Sequence, residues 1–329
     1  MRASKPLRLR DFVRVGSLYF SVVGYRNERA VKCFLRYAPG DGDRVKDGVR
    51  YKKLSHEEAV NYAAARKFFD GSVFRIPHSE IDEVFKPEER LPEVMDPEVR
   101  KVVEFFSPEV PLDSMGVTGS RLIGLKGDDS DVDFIVYGEH WFRAREMLIV
   151  GIRKGKLSEP DEETWEFIYK KRRVPLPYDV FLIHERRKYH RAFVGSTYFD
   201  LLYVRGYGEL ERDIPEEPGT KLGLAEVVAR VTDDSYVFDY PSYYPLDSGF
   251  KAVLCFTHTY AGQALRGERI YARGVVEEID GERYLVVGTS RETQEEFIVS
   301  LDLIERSQLS GEFESWLRGL PPLQQRGRP

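Results

Sequence analysis

The sequence predicts an α/β (α+β) protein of three domains, and three observations carry that expectation. Helix-like and strand-like runs mix through residues 93–214, as they do where helices cover a sheet. The flanking stretches consist instead of short β-like runs separated by Asn, Gly and Asp. Prolines mark the seams, three of them in Pro87–Pro97, then Pro215 and Pro218 beside Gly219. The expected division is a small α+β domain over 1–92, a central domain over 93–214, a β-rich, barrel-like domain over 215–310 and a tail over 311–329. A length of 329 residues fits, since single cores stop growing at roughly 250–300 residues.

The first domain opens with strand-like runs at Leu18–Tyr25, Ala30–Tyr37 and Val49–Leu54, followed by a helix, SHEEAVNYAAARKFF. Ser55 is its N-cap and Glu58 lies three residues on, the spacing of a capping box. In the central domain a helix from Asp96 leads to an apolar strand, Met115–Thr118, and then to Gly119-Ser120. A strand over Val132–Tyr137, helices around His140–Ile152 and Asp161–Arg172, and a buried strand over Tyr178–Ile183 follow. The third domain is expected to hold strands at Val227–Val231, Tyr236–Tyr240, Glu268–Ile279, Glu282–Thr289 and Glu296–Leu301, arranged as a small barrel. Asp280-Gly281, between apolar runs, is a hairpin turn. The polar tail is expected to be loose.

Composition excludes several function classes. Fifty Lys and Arg stand against 55 Asp and Glu, so a net charge of −5 rules out a generally basic nucleic-acid coat and leaves RNA only a local patch. The two cysteines, Cys33 and Cys255, form no CxxC and no disulfide framework, which suits a reducing compartment. No run reaches the roughly 18 apolar residues that span a bilayer, and MRASKPLRLRDF lacks the apolar core of a secretory signal. A cytoplasmic protein without a membrane partner is expected. Abundant Arg and Glu with few Cys and Met is the composition of a thermophile.

The chemistry is concentrated in GVTGSRLIGLKGDDSDVDFIVY, residues 116–137. Residues i and i+2 of a strand share a face, so Asp131 and Asp133 project together while Val132 and Phe134 point to the opposite layer. Adjacent carboxylates repel unless a cation lies between them, and hard ions such as Mg²⁺ favour oxygen ligands while keeping water and phosphates in their remaining positions. Upstream, Gly119-Ser120 leads into the turn RLIG, where glycine admits close backbone approach and N–H groups face an anion. Metal on one side and a phosphate cradle on the other make a nucleotide site. It is not a P-loop, because Leu125-Lys126 stands where Lys-Ser/Thr is required.

An apolar residue, Gly-Ser, a spacer and Ser130-Asp131-x-Asp133 in apolar surroundings together resemble the signature of the nucleotidyltransferase superfamily typified by DNA polymerase beta, over roughly residues 95–205. The likeness is closest to small archaeal predicted nucleotidyltransferases. It implies a polymerase-beta-like central domain with a mixed sheet and flanking helices. It implies further that Asp131, Asp133 and a third acid, matched by Asp179 in LPYDVFLI, hold two Mg²⁺ ions, or Mn²⁺, and carry the catalysis. Gly119, Ser120, Arg121, Lys126 and Ser130 would then bind the nucleotide. The implied reaction moves a nucleoside monophosphate from an NTP such as ATP to an RNA 3′ end, a protein or a small molecule, releasing pyrophosphate. The alternative is a core of the same kind that binds nucleotide or RNA without turnover.

Other features carry two readings. Asp128 and Asp129 are further ligands or a solvated loop, and the basic runs Lys170–Arg173 and Arg186–Lys188 steer phosphates or cap helix ends. The aromatics of YVFDYPSYY, residues 236–244, stack on bases or fill a core. His184 and His258 have no partner at ligand spacing and read as ordinary hydrogen-bonding residues.

Overall fold

The computed structural model describes residues 5–127, 130–289 and 295–321; Asp128 and Asp129 lie outside them. Its elements are α and β throughout, as expected, but contacts divide the chain differently from the three domains read in the sequence. One unit is Met1–Glu159 with His190–Arg212, and the other is Pro160–Tyr189 with Asp213–Pro329.

The first unit begins with strands β1 (Phe12–Val15), β2 (Leu18–Val22), β3 (Val31–Lys46), β4 (Val49–Lys53), β5 (Phe74–Ile76) and β6 (Glu83–Phe85). They form an antiparallel sheet in the order β4-β3-β2-β1-β6, with β5 beside β3. Helix α1 (His56–Val60) has the capping box of Ser55 and Glu58 but ends at Asn61. The Ala-rich continuation turns instead, so that Ala65 and Phe68 bury against Phe74 and Ile76. Tertiary packing overrides a good local helix propensity there.

The same unit holds α2 (Pro97–Phe106), β7 (Met115–Val117), β8 (Val132–Tyr137), α3 (His140–Arg153), β9 (Arg191–Val194) and β10 (Thr197–Val204). Asp96 caps α2 by accepting from the N–H groups of Glu98 and Val99, both at 3.0 Å, and Pro97 sits at its first position. The second sheet runs β7-β8-β10-β9, with only β8 and β10 parallel. On one face Phe106 of α2 stacks on Phe134 at 5.4 Å and meets Phe199 edge-on at 5.7 Å.

The second unit is built on α4 (Glu162–Arg172) and α5 (Tyr178–Lys188), then β11 (Thr220–Arg230), β12 (Ser242–Pro245), β13 (Ala252–Cys255), β14 (Arg269–Ile279), β15 (Glu282–Val287) and β16 (Phe297–Ser300), and finally α6 (Leu301–Arg306) and α7 (Ser310–Arg318). The sheet order is β11-β14-β15-β13-β12, with β16 on β14. It is not the closed barrel expected: β11 and β12 are its edges, joined near their ends only by the isolated pair Val231–Leu246. Asp280 and Gly281 make the expected hairpin, both with positive φ, 53° and 80°. Residues 236–240 are turn rather than strand, and Val237 and Tyr244 fill the core. The start of the tail is ordered, because Phe313 and Trp316 of α7 pack on Tyr271 and Phe297. No helix among the described residues is long and apolar enough to cross a membrane.

Candidate active site

β8 forms at the residues expected because VDFIVY is β-branched and apolar at alternate positions, with Asp133 the one carboxylate within it. Asp131 stands exposed just before the strand. The register of the parallel pair sets Asp200 of β10 directly beside Asp133. Neighbouring residues in register point to the same face, with strands about 4.8 Å apart. Asp200 was not among the acids singled out in the sequence. Its carboxylate accepts from the Tyr198 hydroxyl at 3.1 Å and lies 3.5 Å from Arg191, its register partner on β9.

Gly119 follows β7 with φ +74°, and a Cβ there would collide with a carboxylate oxygen of Asp133. Only glycine lets the bend come this close to the acids. Thr118 N–H donates to the Asp133 carbonyl at 3.0 Å, and Leu125 N–H to the Ser120 carbonyl at 2.8 Å, which closes the turn over RLIG. The N-terminal sheet covers the same region: Leu122, Ile123 and Leu125 bury among Tyr19, Tyr37 and Phe85. Further along β8 on the carboxylate side, Tyr137 carries the Arg8 guanidinium over its ring at 3.7 Å and donates to Glu88 at 3.0 Å. Burial, then the charges of Asp200 and Asp131, push the Asp133 carboxyl up to about 6 against the counter-pull of Arg10 and Lys53.

The described residues contain no group of three acid, His or Cys side chains that could by itself hold an ion. What they offer is two facing carboxylates with a third at the rim. Such a set fits an ion of the Mg²⁺ type, which is bound through one or two carboxylates and completed by water and phosphate oxygens.

The nucleotidyltransferase domain family matches this chain over residues 99–197. The uncharacterized protein MJ1086 of Methanocaldococcus jannaschii is 34% identical across 89% of this chain and 98% of that protein. The chain belongs to the nucleotidyltransferase family. The matched stretch takes in the glycine-serine bend, Asp131 and Asp133, and it ends before Asp200.

Within this nucleotidyltransferase domain several residues expected to face the nucleotide are engaged in holding the bend. Arg121 is buried. Its guanidinium pairs with Asp96, donates to Glu98 at 2.6 Å and to the carbonyls of Ser130 and Asp131 at 2.7 and 3.1 Å. Lys126 bridges Asp96 and Glu98, both at 2.9 Å. The Ser130 hydroxyl accepts from Gly127 N–H at 2.9 Å and meets Ser120 at 3.1 Å and Arg44 at 3.3 Å. The loop between the bend and β8 is thereby tied to the α2 N-terminus, where acids are favourable.

Asp179 differs from expectation in its element. Residues 178–183 are not a strand but the start of α5, in the second unit, with Asp179 exposed in the first turn. Burial, and after it the Asp179 charge, raise the Glu312 carboxyl of α7. The helix forms because Pro177 sets its start and the polar ERRK continues the pattern, so that Val180, His184 and Lys188 bury along one face. The basic runs also end helices. Arg187 pairs with Glu268 at 2.7 Å, and Lys188 with Glu185 at 2.5 Å.

Proposed function

We propose that this nucleotidyltransferase moves a nucleoside monophosphate from an NTP to an acceptor hydroxyl, with Asp133, Asp200 and Asp131 as its ion-binding and catalytic acids. The observation that carries the reading is the parallel register of Asp133 and Asp200 against a bend only glycine can make. Divalent ions bound there would neutralise the attacking and leaving oxygens. Asp133 and Asp200 would hold those ions, Asp131 would complete the set from the rim, and the backbone of Gly119 and Ser120 would approach the phosphates. Asp200, set beside Asp133 and oriented by Tyr198 and Arg191, is placed to draw the proton from the attacking hydroxyl. Arg121, Lys126 and Ser130 contribute by shaping the bend rather than by touching substrate.

Incubation with radiolabelled NTP and Mg²⁺ or Mn²⁺ tests the proposal. Asp131→Ala with Asp133→Ala should abolish labelling of acceptors in extracts of the host. Labelling that survives in the doubly substituted protein would refute the assignment, and tight NTP binding without pyrophosphate release from the parent would favour a nucleotide-binding module.

A further inference from the structure

The matched family begins at residue 99, yet two side chains that hold the turn after its glycine-serine bend come from β3. Arg44 and Lys46 are alternate residues of that strand and share a face, while Val45 between them is turned to solvent. Arg44 donates to the Leu125 carbonyl at 2.6 Å and to the Ser130 hydroxyl at 3.3 Å. Lys46 donates to the Ile123 carbonyl at 2.8 Å, with its ammonium 5.2 and 5.4 Å from the ring centroids of Tyr19 and Phe85. A break in the strand pairing aims them. Pro39 and Arg44 both register with Tyr51 of β4, so residues 40–43 are extra, and a Cβ at Gly42 would collide with the Tyr51 carbonyl. Irregularities of this kind re-aim the side chains that follow and are common beside functional sites.

These contacts bear on the acids through the loop that follows the turn. From Leu125 the chain runs to Ser130, and Asp131 is an exposed residue ahead of β8. A carboxylate in such a place is held in position only by groups that grip the backbone around it, because ordering a loop opposes its conformational entropy. Arg121 supplies one grip, on the carbonyls of Ser130 and Asp131. Arg44 supplies a second, on the Ser130 hydroxyl, which also accepts from Gly127 N–H at 2.9 Å. We propose that Arg44 and Lys46 are positioning residues for the nucleotide site, supplied from outside the matched domain, which keep the turn and the Ser130–Asp131 loop in the arrangement that receives Mg²⁺ and NTP. This rests on the nucleotidyl-transfer reading above. Neither side chain touches the reacting atoms. Each sets the fraction of free protein whose loop is already in place, and apparent affinity scales with that fraction, whereas the saturated complex turns over as before.

Calorimetry on the full chain with ATP and Mg²⁺ tests it. Arg44→Gln should weaken ATP about tenfold, the worth of one hydrogen bond from a charged group, and Arg44→Lys, which keeps one donor, should recover part of the loss. Lys46→Met keeps the apolar stem against the rings but loses the donor, and it should weaken ATP at least about threefold. In both, KM should rise while kcat at saturating ATP stays within about twofold of the parent. Without any ligand, the Gly127 amide should exchange about tenfold faster in Arg44→Gln. Arg50→Gln is the control for damage to the β3–β4 hairpin, since that guanidinium donates to the Gly42 carbonyl at 2.8 and 3.1 Å, and it should bind ATP as the parent does. Parent-like ATP affinity in Arg44→Gln or Lys46→Met, a loss confined to kcat, or an equal loss in Arg50→Gln overturns the positioning role while leaving nucleotidyl transfer standing. A parent protein that binds no ATP overturns both.

Discussion

Replacing Asp133 by Asn should make the metal-free protein more stable near pH 7.5. The Asp133 carboxyl is pushed up to about 6 from an ordinary value of 3.8, with burial the first cause and Asp200 the second. Below pH 3.8 the group is protonated folded and unfolded alike, and it costs nothing. Between 3.8 and about 6 the unfolded chain gives up its proton while the folded one keeps it, so the penalty grows with pH and is complete above about 6. Two pH units at about 1.4 kcal/mol each set a ceiling near 3 kcal/mol. Asp133 retains some solvent contact, which discounts this to about 1–2 kcal/mol. Asparagine copies the shape of the protonated acid without the charge. Thermal unfolding in chelator should therefore show a rise of roughly 2–8 °C over the parent near pH 7.5, shrinking towards zero near pH 4. On the proposed ion-binding role of Asp133, saturating Mg²⁺ should narrow the gap near pH 7.5, because an ion held by that carboxylate would favour the folded parent over the variant. A variant no more stable than the parent near pH 7.5, or a gain of the same size at both pH values, would refute the electrostatic account.

The other expectations probe neighbouring parts of the same argument. Asp200→Asn should lower nucleotide incorporation by about 100-fold or more, whereas Asp179→Asn should leave it within about twofold of the parent; steady-state rates on one acceptor compare them. Gly119→Ala, which forces a Cβ onto the Asp133 carboxylate from a left-handed backbone, should cost about 1–3 kcal/mol in chemical denaturation and impair incorporation as well. In the second unit, burial pushes His184 down to about 3; its Nδ1 lies 2.6 Å from the Val180 carbonyl and its Nε2 accepts from Ser300 N–H at 2.9 Å. Its neutral form thus contributes stability that is present above about pH 6.5 and lost as pH falls towards 3, so unfolding midpoints should drop across that window. His184→Gln should flatten that dependence.

Local rules read well where they had one answer. Ser55 and Asp96 cap their helices, Asp280-Gly281 turns its hairpin, and β8 spans the residues its β-branched pattern marks. They failed where a short apolar run was ambiguous. DVFLI is as apolar as a buried strand, and periodicity over five residues cannot tell the two apart. What decides is length: the run continues through His184 to Lys188, and the core of the second unit receives Val180 alongside Leu285 and Ile298. The sheet of that unit stays open for a reason equally hidden from pattern, since closure depends on how β11 and β12 meet at their ends.

The acid we propose as partner of Asp133, Asp200, shows the same limit at the site itself. Asp179 attracted notice because an apolar run follows it, but the first turn of a helix is where a carboxylate is favoured by the exposed N–H groups, so its presence there needs no further cause. Asp200 is the costlier residue. It lies mid-strand, between the buried Phe199 and Leu201, beside Asp133, whose ionisation is made costlier first by burial and then by the Asp200 charge. A strand that gained only packing from this position would do better with Thr or Val. The run TYFDLLYV after Gly195-Ser196 therefore held a usable signal, an acid inside a half-buried alternating strand. Its partner could not be read from the sequence, because a parallel pair is joined by a long crossover and nothing local fixes which residues come into register.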